Sequence, residues 1–344
     1  MTHPFLVKDI AFQAGLSTAT VDRVLNERPG VRRQTASRVR AAIEELERLE
    51  AAGVEHPARV FGIDVVMEAP DRFTTAVRRA FESEAGAFGQ AAFRPRFHFA
   101  EMIKPAEMVQ LLDRIRLRGT HGVVLKAPDV PEIAGAVMRL EAAAIPVVTL
   151  VTDLPETPRI AYAGADNRAA GETAAYLVGE HLRGERLRVL ATLSSNRFHG
   201  EEEREVGFRR LMETRYKEIG IVEVSEGFGR DAATGALVAA ALERYPDIAG
   251  VYSIGGGNRA VLSAFESVNR QCRIYVAHDL DAENLDLLRE GKLNFVLHHD
   301  LRADVREVFR AVLAYRKSRT VAVPARLSAV EVVTPFNIPA GLVR

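Results

Sequence analysis

Val7-Lys8-Asp9-Ile10-Ala11-Phe12-Gln13-Ala14-Gly15-Leu16-Ser17-Thr18-Ala19-Thr20-Val21-Asp22-Arg23-Val24-Leu25-Asn26 is the stretch whose reading decides this chain. Ile10, Ala11 and Ala14 give one apolar stripe at helical spacing. Gly15 can take positive φ, which ends a helix and turns the chain. Ser17 can cap the next helix by accepting from backbone N–H groups left free at its start. That second helix turns Val21, Val24 and Leu25 inward and leaves Thr18, Ala19, Asp22, Arg23 and Asn26 outside. Two short helices joined by a tight glycine turn form a helix-turn-helix, whose second helix fits the DNA major groove. A three-helix bundle that only mediates protein contacts has the same outline.

Charge along the chain is uneven. The 344 residues carry 46 Lys and Arg against 46 Asp and Glu. A neutral chain is not one that coats nucleic acid throughout. Yet Lys8, Arg23, Arg28, Arg32, Arg33, Arg38 and Arg40 crowd the first forty residues, opposed only by Asp9, Asp22 and Glu27. A local basic patch on a neutral protein suits a DNA-reading head on a body that does not bind DNA. The single cysteine, Cys272, excludes an internal disulfide and a multi-thiolate zinc site, and its place before an apolar run suggests a buried structural thiol. No signal-like N-terminal core and no apolar run near ~18 residues is visible, so a cytoplasmic protein is expected.

The N-terminal run resembles the LacI family of transcription regulators. The matching residues are Val7-Lys8-Asp9-Ile10-Ala11, Ala14-Gly15-Leu16-Ser17, Thr20-Val21, Arg23-Val24-Leu25-Asn26, Gly30-Val31, Thr35, and Val39 with Ala41-Ala42-Ile43 and Leu46. The resemblance implies base contacts from Thr18, Ala19 and Arg23. Ser17, Thr20 and Asn26 would face phosphates or hold the turn. Asp22 departs from the family, where serine is usual. A carboxylate facing DNA must accept from a cytosine amino group or be repelled by phosphate, which implies an atypical operator.

A third helix is expected from Arg33 to Glu50, with Thr35, Val39, Ala42, Ile43, Leu46 and Leu49 as its stripe. Residues 51–59, with Gly53 and Pro57, read as a linker. The family carries a hinge of Tyr-x-Pro-Asn-x-x-Ala-x-x-Leu pattern here. Arg48, Glu50, Ala51 and Pro57 stand at the corresponding places, so the leucine wedge that kinks DNA through the minor groove is not expected.

From Val60 the pattern alternates short β-rich runs with ~10–15-residue helices, which means βαβ units and parallel sheets. One series runs through Val60–Val66, Phe97–Phe99, Gly122–Leu125 and Pro146–Leu150. A second runs through Ile160–Ala163, Leu187–Leu193, Ile219–Val224, Gly250–Ile254 and Ile274–Ala277. The fold class is therefore α/β: a helix-turn-helix head, then two Rossmann-like subdomains. This body resembles the periplasmic sugar-binding protein fold that LacI regulators share. Its most specific piece is Tyr162-Ala163-Gly164-Ala165-Asp166-Asn167-Arg168-Ala169-Ala170-Gly171, where Asp166 or Asn167 caps a helix and Gly171 allows close packing. The resemblance implies three crossings between subdomains, near Ala161, His299 and Arg326. The expected division is a head at 1–50, a linker at 51–59 and an effector-binding and dimerisation body at 60–344. Within the body, one subdomain takes about 60–161 and 299–325, the other about 162–298 and 326–344.

In open α/β sheets ligands sit beyond the carboxyl ends of the strands. Polar residues with one aromatic converge there, which suits a polyhydroxylated ligand. By resemblance Arg204, Asn258, Asp279 and His298 fall on ligand-contacting positions and Phe73 on the stacking one; Asp153 follows another strand end. Gly255-Gly256-Gly257-Asn258 is neither a G-x-G-x-x-G nor a P-loop, and Ser194-Ser195 lies in no G-x-S-x-G elbow. His298-His299-Asp300 is a poor metal site, because adjacent strand residues point to opposite faces. No catalytic residue, metal or cofactor is expected.

The expected protein is a dimeric transcription regulator, a repressor, with a pseudo-palindromic operator and a small sugar or polyol as effector. A sugar-binding protein or a sugar-acting enzyme with an accessory DNA-binding head is the alternative. Arg23 is the one basic residue in the second helix. Arg23→Ala should cost about 1–3 kcal/mol of operator binding and relax preference at one base pair per half-site. Binding across operator variants checks this, and an unchanged base preference would contradict it.

Overall fold

The structure, a computed structural model, describes residues 5–26, 28–31, 33–51, 59–86, 91–227, 231–317 and 326–340. They form two compact units. The first contains three helices, α1 (Val7–Ala14), α2 (Thr18–Leu25) and α3 (Arg33–Ala51). Ile10, Ala11, Ala14, Val21, Val39, Ala42 and Leu46 are buried together, the stripe expected of each helix facing one small core. Gly15 has φ +62°, the left-handed turn that lets α2 fold back. Of the expected linker only Ala51, ending α3, and Arg59, opening the first strand, are described. The expectation about Gly53, Pro57 and the hinge lies outside the described residues.

The second unit is built on two sheets. The first has strands β1 (Arg59–Glu68), β2 (Ala91–Ala100), β3 (Gly122–Lys126), β4 (Val147–Leu150) and β5 (Ala161–Ala163) in the order β2-β1-β3-β4-β5. Helices α4 (Asp71–Glu84), α5 (Pro105–Arg118) and α6 (Pro131–Ala142) connect them. The second sheet has β6 (Arg188–Thr192), β7 (Gly220–Val224), β8 (Ile248–Ser253), β9 (Ile274–His278), β10 (Phe295–His298) and β11 (Glu331–Val333), ordered β11-β10-β9-β8-β6-β7. Its helices are α7 (Asn167–His181), α8 (His199–Arg215), α9 (Asp231–Arg244), α10 (Asn258–Ser267) and α11 (Ala282–Arg289). Helix α12 (Leu301–Lys317) follows β10 yet packs on α4, β4 and β5. The chain thus passes to the second sheet after β5, back after β10, and across again before β11.

The pairings β1/β3, β3/β4, β4/β5, β6/β7, β6/β8, β8/β9 and β9/β10 are parallel, and β10/β11 is antiparallel. Strands covered on both faces read as unbroken apolar runs such as Val123-Val124-Leu125. Among the polar residues that interrupt such runs is Asp64, fully buried in β1. Burial would raise its pKa, but hydrogen bonds from His98, Arg96, Thr120 and Arg118 hold it well below the usual carboxylate range. Sequence reading leaves 282–289 and 301–317 without an element. Phe97–Phe99 is only the C-terminal part of the ten-residue β2, whose earlier residues carry Phe93 among alanines, arginines and a proline. Cys272 is half-buried, and burial pushes its thiol up to about 12.

Helices α7 and α8 pack closest. A Cβ on Gly171 would lie 1.9 Å from the backbone oxygen of Arg204, and one on Gly207 would lie 2.2 Å from that of Arg168. Only hydrogen fits at either crossing point. Gly171→Ala should push the helices apart and destabilise the body by about 1–3 kcal/mol, as overpacking does. A urea midpoint equal to wild type would contradict this contact.

Candidate functional site

The head offers one surface. Ser17 caps α2: its Oγ accepts from the Thr20 N–H at 3.2 Å and lies 2.8 Å from Thr20 Oγ1. Thr18, Ala19, Arg23 and Asn26 are exposed along the outer face. Asp22 is already engaged, a third case beside the two expected for it. Asn26 Nδ2 donates to Asp22 Oδ1 at 2.8 Å, and Arg28 Nη1 lies 3.3 Å from Oδ2. The carboxylate therefore ties down the end of α2. Arg38 is likewise occupied, donating to the Ala14 carbonyl at 2.8 Å where α1 ends.

The second unit holds a cavity lined from both sheets. The first sheet and its loops supply Glu68, Arg72, Phe73, Lys126 and Thr152. The second supplies Ser194, Phe198, Glu201, Arg204, His278, Asp279, Asp281 and Asn284. Two ion pairs cross between these walls: Arg72 Nε to Asp281 Oδ2 at 3.1 Å, and Arg197 Nη2 to Glu68 Oε1 at 3.0 Å. Lys126 Nζ lies 4.0 Å from the centre of the Phe198 ring, and the Gly200 N–H donates to Thr152 Oγ1 at 2.8 Å. Two lining residues sit in left-handed backbone, Val151 at φ 68° and Asp279 at φ 63°. Such strain costs about 1–3 kcal/mol and concentrates where a site demands it.

Arg204 is 5% exposed. Its Nε donates to Asn167 Oδ1 at 2.8 Å. Its terminal nitrogens make no hydrogen bond to any described residue and are left for another partner. Asp166, rather than Asn167, caps α7, accepting from the Ala169 N–H at 2.9 Å. That frees Asn167 to turn inward and aim Arg204.

Behind Asp279 lies His299, 4% exposed. Its Nδ1 is 2.6 Å from Asp304 Oδ2 on α12 and its Nε2 is 3.6 Å from Asp279 Oδ1. Burial lowers the imidazole pKa, but the two carboxylates win and raise it to about 9. Burial also acts against the Asp279 anion, yet His299 and Arg204 hold its pKa well below the usual value. His278, hydrogen-bonded to Tyr252 Oη at 2.8 Å, is driven well down by burial and by Arg204.

Of the ligand contacts expected from sequence, Phe73, Arg204 and Asp279 line the cavity. Asn258, Asp153 and His298 do not. Asn258 is committed at both ends, donating to Asn284 Oδ1 at 2.6 Å and accepting from Tyr275 Oη at 2.9 Å. Asp153 is taken by Arg159 and by Thr149, whose hydroxyl donates at 2.6 Å. His298 Nδ1 faces the Leu280 N–H at 3.4 Å. Glu68, Phe198, Asp281 and Asn284 line the cavity without having been singled out, and Lys126, a strand-end residue, lines it without having been assigned a ligand contact. The available signal was position, since Glu68 and Lys126 end β1 and β3 as polar residues closing apolar runs. Among the described residues no group of three His, Cys, Asp or Glu side chains could hold a metal ion, and no helix is long and apolar enough to cross a membrane.

A helix-turn-helix head carried in one chain with a two-sheet α/β body around a polar cavity defines a DNA-binding regulator with a ligand-binding module. A model of bacterial regulatory proteins of the lacI family matches residues 6–47, and a model of the periplasmic binding protein domain matches residues 63–319. The chain carries a lacI-type head on a body that belongs to the periplasmic binding protein domain family, the architecture of a lacI-type regulator. The fold is similar to that of GanP, a glucose-galactose binding protein from Geobacillus stearothermophilus, at 19% identity over 81% of this chain and 99% of that one, TM-score 0.72. It is also similar to the arabinose binding protein AraP of the same organism (20% identity, 81% and 97% covered, TM-score 0.66). A solute binding protein from Agrobacterium vitis, bound with alpha-D-tagatopyranose, aligns at 19% identity over 81% and 96%, TM-score 0.71. At these identities the likeness shows the fold alone. A comparison with curated proteins finds no match.

The His299 geometry sets a pH dependence. The folded state keeps this proton to about 9, against 6.5 for an unperturbed histidine. Its stabilisation is therefore complete below about pH 6.5 and is lost as pH rises through about 9. The wild-type melting temperature should fall across that window by more than that of His299→Gln. Parallel pH profiles would contradict the assignment.

Proposed function

We propose that this protein is a cytoplasmic, homodimeric transcriptional repressor whose operator binding is controlled by a small sugar or polyol. The head, 1–50, reads a pseudo-palindromic operator through Ser17, Thr18, Ala19, Thr20, Arg23 and Asn26. The body, from residue 60, binds the effector and dimerises. The observation that carries the effector reading is Arg204: a buried guanidinium in a two-walled cavity, aimed by Asn167, whose terminal nitrogens make no hydrogen bond to a described residue. A guanidinium fork can hold two ligand oxygens at once. Phe73 offers the cavity an apolar face and Asp279 an acceptor, the combination a sugar ring with hydroxyls uses. Solved neighbours of this fold include proteins described as binding glucose and galactose, arabinose, and tagatose, which supports the same ligand class here.

A ligand touching both walls binds better when they are close, and only such differential affinity can shift the body between states. Operator DNA selected from random duplexes by wild-type protein supplies the assay. D-Glucose, D-galactose, D-arabinose, D-allose and D-tagatose are then screened for an effect on that binding. Arg204→Ala should bind operator within about two-fold of wild type without sugar and should lose the sugar response. A normal response, or loss of operator binding outright, would remove Arg204 from the site.

A further inference from the structure

Lys126 is anomalous in a way that the effector reading above does not use. It ends β3 on the first wall of the cavity. Its Nζ donates to the Glu68 carbonyl at 2.9 Å and stands over the Phe198 ring. It forms no salt bridge with any described residue. Two of its three N–H donors therefore have no hydrogen-bond acceptor among the described residues. Lys126 is part-buried at the cavity wall, so the hydration it has lost must be replaced by something other than a carboxylate of a described residue. Arg204, on the opposite wall, is more deeply buried, and it too lines the cavity without a salt bridge to a described residue.

The remaining charges around the cavity are matched. Arg72 pairs with Asp281, and Arg197 with Glu68. Protonated His299 is shared by Asp279 and Asp304, which leaves one negative charge over. Glu201 adds a second, its oxygens accepting from the Ser194 N–H at 2.7 Å and the Ser194 hydroxyl at 2.5 Å. Lys126 and Arg204 offset those two at a distance. Apart from Glu101 at the exposed rim, the interior is neutral in sum, yet two cations hold donors that no described residue takes.

We propose that Lys126 is a ligand-contacting, specificity-determining residue that clasps the effector opposite Arg204, and that the effector is an uncharged polyhydroxylated molecule rather than a sugar phosphate or sugar acid. Hydroxyl oxygens accept from both cations without adding net charge. Their hydrogens can be donated to Asp279. A phosphate or carboxylate would satisfy the same donors but bring uncompensated negative charge into a site whose interior is already balanced. Burial lowers the Lys126 pKa, and Glu201, Glu68 and Asp279 oppose that shift, which places the ammonium among the groups a ligand would meet.

This rests on the effector reading, and the test separates the two. Full-length protein is melted with and without D-glucose, D-galactose, D-arabinose, D-allose and D-tagatose. D-Glucose 6-phosphate, D-galactose 6-phosphate and D-galacturonate are run beside them. The expected result is a melting shift with at least one neutral sugar and none with the anionic probes. Lys126→Met should weaken the neutral sugar at least ten-fold, while its ligand-free melting temperature stays equal to or above wild type. A purely structural lysine would instead lower that temperature and leave affinity alone. If Lys126→Met does not fold, Lys126→Gln gives the same reading with a polar side chain. Undiminished sugar binding in these variants, with the response still lost in Arg204→Ala, overturns the Lys126 assignment and leaves the effector reading standing. Tighter binding of an anionic probe overturns the uncharged-ligand assignment. No shift with any probe overturns the sugar reading itself, and this proposal with it.

Discussion

Helices α7 and α8 touch backbone to backbone at Gly171 and Gly207, and the ligand cavity depends on that contact. The spacing between the helices is fixed by the absence of two side chains. It lets Asn167, the first residue of α7, reach Arg204 on α8 and orient its guanidinium. A larger residue at either glycine would move the donor by a sizeable part of a hydrogen-bond length, and the fork would miss its target. A backbone contact therefore positions a side chain that recognises a ligand.

The same economy appears at Asp279. Its left-handed backbone follows the end of β9, and its carboxylate is backed by His299, which in turn meets Asp304 on α12. Since α12 packs against the first sheet, a side chain lining the cavity from the second sheet is joined through one imidazole to the first. Arg72–Asp281 and Arg197–Glu68 make further links of the same kind across the cavity. Each is part-buried, so each is screened less than a surface pair. Their breaking and making would accompany any change in the distance between the walls.

Much of this was legible in the sequence, for identifiable reasons. Gly15 and Ser17 mark a turn and a cap by their own chemistry, and βα alternation is a periodicity that no other fold class imitates well. Phe73, Arg204 and Asp279 follow strand ends, where a parallel sheet opens its site. Asn258 and Asp153 also follow strand ends, but sequence does not reveal that Tyr275, Asn284 and Arg159 would take up their polar atoms. Those partners lie far along the chain or across a tight turn. Lys126 shows the converse: a lysine after an apolar run looks like an ordinary strand terminus until three dimensions show it in the cavity wall, ion-paired with no described residue. Helices α11 and α12 continue the strand-helix rhythm after β9 and β10, but α11 spans only eight residues, shorter than the ~10–15-residue helices by which the rhythm was read, and α12 returns to the other sheet.

Asp22 and Arg38 change how the head meets a polyanion. Arg28 is partly neutralised by Asp22, and Arg38 is spent on the Ala14 carbonyl. A cation already engaged inside the protein displaces fewer counterions when DNA arrives. The logarithmic salt dependence of binding should then be shallower, by roughly two units per head, than the arginine count of the first forty residues suggests. The nonspecific, counterion-driven share of affinity shrinks with it. Base contacts then carry a larger fraction of what remains, and discrimination between operator and bulk DNA should persist as ionic strength rises.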